Sequence, residues 1–176
     1  MISKNYKKIF ILASILTCIA IAFTQSSCGI YRFKDVSIPD SVKLVRINQF
    51  ANKATYISPT LAPELTEKLK QKIVRQTKIG QTNGDNADWI INCTITKYGF
   101  TTSGISNQQV NSNRLTVDVH VEVQETKTQK IIGKYDVSSP FDYSGSLSLQ
   151  QAEQELKTQM MRDIPDAIFN RLFSNW

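Results

Sequence analysis

Residues 115–124 read LTVDVHVEVQ, with Leu115, Val117, Val119, Val121 and Val123 alternating with Thr116, Asp118, His120, Glu122 and Gln124. In a strand successive side chains point to opposite faces, so this stretch predicts one wholly apolar face and one wholly polar face. Such a strand belongs in an antiparallel sheet with one face packed on helices and the other turned to water or a partner.

Working outward, Trp89, Ile91, Cys93 and Ile95 alternate with Ile90, Asn92, Thr94 and Thr96, a second long strand. A further strand fits Lys130 to Ser138, joined through a turn near Lys127, and a first strand fits Ser41 to Phe50. Between the long strands, 101–113 reads TTSGISNQQVNSN, with too few apolar residues to pack. It reads as a flexible loop or an extended hairpin tip.

Two helices complete the pattern. Leu61, Leu65, Leu69 and Ile73 recur every four residues, and Val74 widens the stripe. Ser58 is placed to cap this helix with Pro59 at its first position. Glu64 and Glu67 near its start and Lys68, Lys70, Lys72 and Arg75 near its end suit the helix dipole, and those cations read as a solvated face or as a surface for an anionic ligand. Gly80 and Asn83-Gly84 end the unit as a turn. Ser148 and Gln151 have capping-box spacing ahead of Leu149, Ala152, Leu156, Met160, Ile164, Ile168 and Leu172, with Pro165 expected to kink the helix. The expected fold is α+β: a four-stranded, mostly antiparallel sheet with two helices on one face, in the order strand, helix, three strands, helix.

The first 27 residues stand apart. Lys4, Lys7 and Lys8 precede an apolar run from Ile9 to Phe23, and Ser26 and Ser27 supply small residues for a protease, the layout of an export signal. The run is too short for a permanent span of roughly 20 residues. Gln25-Ser26-Ser27-Cys28 resembles a bacterial lipobox, with Gln25 where Leu is usual, so Cys28 is expected to be lipidated and to become the first residue. Several acyl chains, palmitate among them, would then hold the protein on a membrane without crossing it. The expected division is a signal at 1–27, a lipidated cysteine and tether at 28–40, and one domain at 41–176. Lys4, Lys7 and Lys8 supply three of the net +6 charges, which leaves +3 on the remainder.

Little in the sequence points to catalysis. His120 is the sole histidine and sits on the polar side of a strand, and no nucleophile elbow, glycine-rich phosphate loop or metal-ligand spacing is present. Once Cys18 leaves and Cys28 is acylated, Cys93 has no disulfide partner and reads as a small buried hydrophobe. Basic residues lack the aromatic interleaving of a nucleic-acid surface. No cofactor is expected.

Cys28-Gly29-Ile30-Tyr31-Arg32-Phe33, then Ser37-Ile38-Pro39, Ile47-Asn48-Gln49-Phe50, Asn113-Arg114-Leu115-Thr116-Val117 and the ending from Phe169 to Trp176 resemble LptE-family lipoproteins of Bacteroidetes-type bacteria. The resemblance implies a periplasm-facing outer-membrane lipoprotein that plugs an LptD β-barrel and helps place lipopolysaccharide in the outer leaflet. Gly29, in place of the Asp associated with inner-membrane retention, agrees with that address. Contacts to lipid A phosphates in the family involve basic residues. Lys97 at the entry to 101–113, Arg114 at its base and Lys134 on the following strand are the candidates here by placement, against the simpler reading of each as an ordinary surface charge. The alternative is an adaptor or structural lipoprotein of another envelope complex that binds no lipopolysaccharide; a lipid-anchored hydrolase would need a site assembled only in space.

Overall fold

A computed structural model describes residues 38–56, 58–106 and 109–173. The proposed signal at 1–27, Cys28, most of the tether and Trp176 lie outside the described residues.

The alternating stretches pair as expected. β4 (Trp89–Ser106) and β5 (Gln109–Glu125) form an antiparallel hairpin, and β6 (Ile131–Ser144) pairs antiparallel with β5. Leu115, Val117, Val119, Val121 and Val123 are all buried, as are Ile91, Cys93 and Ile95. A bulge between Ile95 and Lys97 then shifts the phase of β4, so that Tyr98 rather than Lys97 points into the core. One extra residue in a strand reverses which side chains face inward.

The sheet is larger than four strands, and it is mixed. β1 (Leu44–Ile47), β2 (Ala51–Asn52) and β3 (Gly80–Gln81) are short and all join by parallel pairing, giving the order β3-β1-β4-β5-β6 with β2 also beside β4. The single strand expected over Ser41 to Phe50 is broken after Ile47, because the Phe50 amide donates to Thr66 Oγ1 at 3.0 Å instead of to a neighbouring strand. Gly80 lies in β3 rather than in a turn. It sits opposite Leu44, where a Cβ would come within 2.9 Å of Leu44 Cδ2, so a side chain there would require the Leu44 side chain to turn aside. β6 runs six residues past the expected end at Ser138, through Pro140. Proline is tolerated there because β6 is the edge strand of the sheet. Residues 101–106 and 109–113 continue the strands, so of the two readings of this stretch the extended hairpin holds.

α1 (Leu61–Gln76) buries Leu65, Leu69 and Ile73 completely. Burial of each contributes roughly 1.5–3 kcal/mol relative to exposure. The cap expected from Ser58 is absent: the helix starts at Leu61, with Thr60 before it making no side-chain cap bond. Pro63 explains the shift. Started at Pro59, the helix would need an N–H from position 63 and would drive that ring against the carbonyl four residues back; started at Leu61, it holds Pro63 in the first turn, where no N–H is required.

α2 (Leu149–Phe173) opens with the expected capping box, Ser148 Oγ accepting from the Gln151 amide at 3.4 Å and Gln151 Oε1 from the Ser148 amide at 3.0 Å. It buries Ala152, Leu156, Met160, Ile164, Ile168, Phe169 and Phe173, and the helix continues through Pro165. Lys157 pairs with Glu64 at 2.7 Å and Lys72 with Asp166 at 2.6 Å, so the two helices run side by side in the same direction. Lys72 also lies 5.3 Å from the Phe169 ring centre. Of the basic run on α1, Lys72 with Asp166 and Lys70 with Glu67 at 3.0 Å are thus ion-paired and partly covered, while Lys68 and Arg75 are exposed.

Candidate functional site

Two surfaces carry the polar chemistry of the described residues. The first is the face of β4, β5 and β6 opposite the helices. Its side chains stand in rows fixed by register: Asn92, Glu122 and Lys134; Thr94, His120 and Asp136; Lys97, Asp118 and Ser138; Thr101, Arg114 and Asp142. The rows are laced across the strands. Glu122 accepts from Lys134 at 2.9 Å, Asp118 from the Ser138 hydroxyl at 2.6 Å, and Asp142 takes both arms of the Arg114 guanidinium at 2.7 and 3.0 Å. The Lys134 ammonium holds the Glu122 carboxyl below its usual range, and the Arg114 guanidinium does the same for Asp142.

His120 sits at the centre of this ladder. Its Nδ1 lies 2.6 Å from Asp136 and its Nε2 3.6 Å from Glu122. The bond to Asp136 raises its pKa most, desolvation opposes it, and the charge of Asp136 and the contact with Glu122 add smaller upward contributions, so that the net direction is up.

The structure therefore puts Lys97, Arg114 and Lys134 on the same face but does not bring them together. Arg114 and the Lys134 partner Glu122 are eight residues apart on β5, about 27 Å at strand rise. Arg114 and Lys134 are each neutralised by a carboxylate. Lys97 has no ion pair among the described residues, and its stem lies over Gly99, where an added Cβ would meet Cε at 3.1 Å.

The second surface was not visible in the sequence. A groove of about 420 Å³ opens where the starts of α1 and α2 meet β4, lined by Thr60, Leu61, Tyr98, Glu153, Met160 and Met161 among others. The Tyr98 hydroxyl donates to Glu153 at 2.8 Å, and burial with that bond pushes its pKa up. Tyr56 stacks on Tyr98 at 5.5 Å between ring centres, and Phe100 meets both edge-on and also meets Tyr143. The bulge after Ile95 brings Tyr98 into this cluster; the one available signal was that strict alternation from Trp89 would have put Lys97 in the core.

Neither surface assembles a reaction centre. Cys93 is buried, and desolvation pushes its thiol up to about 12, which leaves it without a reactive thiolate. Among the described residues no three His, Cys, Asp or Glu side chains are placed to hold a metal ion. What the geometry offers is a long polar sheet face, an aromatic groove and an extended hairpin, which are means of contact.

The LptE family model, described as lipopolysaccharide-assembly, matches residues 42–172, about three quarters of the chain. Among solved structures, a minor lipoprotein from Acinetobacter baumannii is similar with a TM-score of 0.52 at 14% identity, over 74% of this chain and 92% of its own. An uncharacterized lipoprotein B from Nitrosomonas europaea gives 0.53 at 14% identity, over 74% and 82% respectively. A protein from Xanthomonas campestris gives 0.53 at 10% identity, over 74% and 84%. At these identities the likeness is one of fold. No curated protein matches the chain.

Proposed function

From the premise that the chain belongs to the LptE family of lipopolysaccharide-assembly proteins, we propose that it is a lipoprotein of the outer membrane, anchored through Cys28 after removal of 1–27 and facing the periplasm. In this reading it serves without catalysis, as a plug and assembly partner for an LptD-like β-barrel that delivers lipopolysaccharide to the outer leaflet. The observation that carries the reading is the family match across the whole folded domain. The architecture suits it: β4 and β5 run 18 and 17 residues, about 60 Å at strand rise, long enough to reach through a barrel from its periplasmic rim. A laced polar sheet face is compatible with the polar lumen of such a barrel.

One observation favours the adaptor reading in its narrower point, the absence of lipopolysaccharide binding on this face. Arg114 and Lys134 already have carboxylate partners, and a phosphate would have to displace Asp142 or Glu122 to reach them. Lys97 remains the better placed of the three for lipid A.

Depletion of the protein in its host tests the proposal, with lipopolysaccharide at the cell surface and recovery of a barrel on the tagged protein as readouts. The expected result is loss of surface lipopolysaccharide and co-purification of one β-barrel. Unchanged surface lipopolysaccharide with another envelope complex on the tag would establish the adaptor instead.

A further inference from the structure

The register gathers one end of the sheet into a single surface. Val45 on β1 lies beside Trp89, and Trp89 faces Glu125, so the start of β1, the 125–130 turn and the start of β6 share that end. The Gly80 amide donates to the Lys43 carbonyl at 2.8 Å, which brings Lys78 to the same place. The hairpin tip lies at the other end.

Lys43, Lys78, Lys127 and Lys130 are exposed here, and none of the four pairs with another described acidic side chain. Two of the neighbouring acids are held by other donors: Asp88 accepts from the backbone amides of Lys43 and Leu44 at 2.8 and 3.0 Å, while still lying in the field of Lys127 and Lys43, and Glu125 accepts from the Thr128 hydroxyl at 2.6 Å. Asp40 is exposed. Beside the lysines, Ile131 and Ile132 are each 48% exposed at the bulge that opens the edge strand. The two isoleucines make a small apolar patch within a cationic surround.

The chain enters the domain at this end too. The Val42 amide donates to the Pro39 carbonyl at 3.0 Å just before β1, and Ile38 packs against the core. Cys28 lies ten residues before Ile38, a reach of at most about 35 Å. An acyl anchor on Cys28 therefore keeps this end within reach of the bilayer surface.

We propose that this lysine and isoleucine end is a docking surface for an anionic phospholipid leaflet, with Lys43, Lys78, Lys127 and Lys130 meeting headgroup phosphates and Ile131 and Ile132 entering the boundary beneath them. It rests on the anchor reading given above. Cationic and apolar groups presented together bind such an interface through both attractions, and the electrostatic part falls off within a Debye length. Docking would set the angle of the hairpin to the membrane, which a flexible tether alone does not.

The test uses the lipid-anchored protein with Ile131→Cys carrying an environment-sensitive fluorophore; Cys93 is buried and Cys28 is acylated, so the label is confined to position 131. The protein is floated with neutral phosphatidylcholine vesicles and with vesicles containing about 30% phosphatidylglycerol. The expected result is co-flotation with both and a blue shift only with the anionic ones, at least halved by ~0.5 M salt and by Lys127→Gln with Lys130→Gln. Co-flotation with an aqueous spectrum on both vesicles overturns the docking surface while leaving the anchor intact. Absence from neutral vesicles overturns the anchor reading; binding to anionic vesicles alone then supports the surface, and binding to neither overturns both. A shift with lipid A micelles but not phosphatidylglycerol replaces the leaflet with a lipid A site.

Discussion

Thr66 shows how one side chain decides the course of the chain. Its hydroxyl donates to the Ala62 carbonyl at 2.7 Å and accepts from the Phe50 amide at 3.0 Å, both buried, so it ends β1 and seats Phe50 in the core. Thr66→Val keeps the shape but leaves the Phe50 amide unsatisfied, and a loss of about 1–3 kcal/mol in chemical denaturation is expected. His120 is the residue whose contribution depends on pH. Its folded pKa lies above the unfolded value of 6.5, so its bond to Asp136 stabilises the fold most when pH is below 6.5. That contribution is lost as pH rises through the folded value, because the neutral ring no longer attracts Asp136 and Glu122. Between about pH 5.5 and pH 8, wild-type stability should therefore fall relative to His120→Asn, which lacks the titrating group. Denaturation curves of the two proteins at both pH values check this, and parallel behaviour would show that the contact contributes nothing.

Among the elements, α2 depends on a local signal and α1 on a tertiary compromise. Ser148→Ala removes the acceptor for the Gln151 amide and is expected to lower stability by about 0.5–2 kcal/mol, with fraying of the first turn visible as faster amide exchange at 149–152. That cap was legible because both partners lie within three residues of each other. The start of α1 was less so, since Ser58 with Pro59 and Thr60 with Pro63 are competing registers, and only the proline four residues downstream decides between them. The same division holds for the strands. The alternation from Leu115 to Val123 carries its pairing in its own side chains, and the α+β layering followed from it with the two apolar helix stripes. β2 and β3 are two residues each and exist through parallel pairing with distant partners, which no local pattern announces. β6 continues through Pro140 because of its edge position, a property of the assembled sheet.

At the scale of the whole molecule, the candidate basic residues illustrate the same limit: that Lys97, Arg114 and Lys134 share a face follows from alternation and the bulge, but their neutralisation depends on the register of β5 against β6. That register also separates what holds the fold from what extends beyond it. The core thins past the row of Phe100, Leu115 and Phe141: Tyr143 on β6 is still buried against Phe100, but Thr101, Thr102 and Ser103 are exposed and Ser112 and Asn113 only partly covered. The exposed or partly covered polar side chains of Thr102, Ser103, Ser112 and Asn113 add little beyond the backbone pairing of their strands, and shortening a loop changes closure entropy only slowly with length. Replacing 102–113 with a two-residue Asn-Gly turn, which matches the twist of a tight hairpin, should therefore leave the thermal midpoint within about 5 °C of the parent. In the proposed complex the same deletion removes the part that reaches into the barrel. Recovery of the barrel on the tagged protein should fall at least tenfold while the shortened domain remains folded and attached to membranes. Retention of full barrel recovery would place the contact on the polar face or the aromatic groove and leave the hairpin as an extension without a role in assembly.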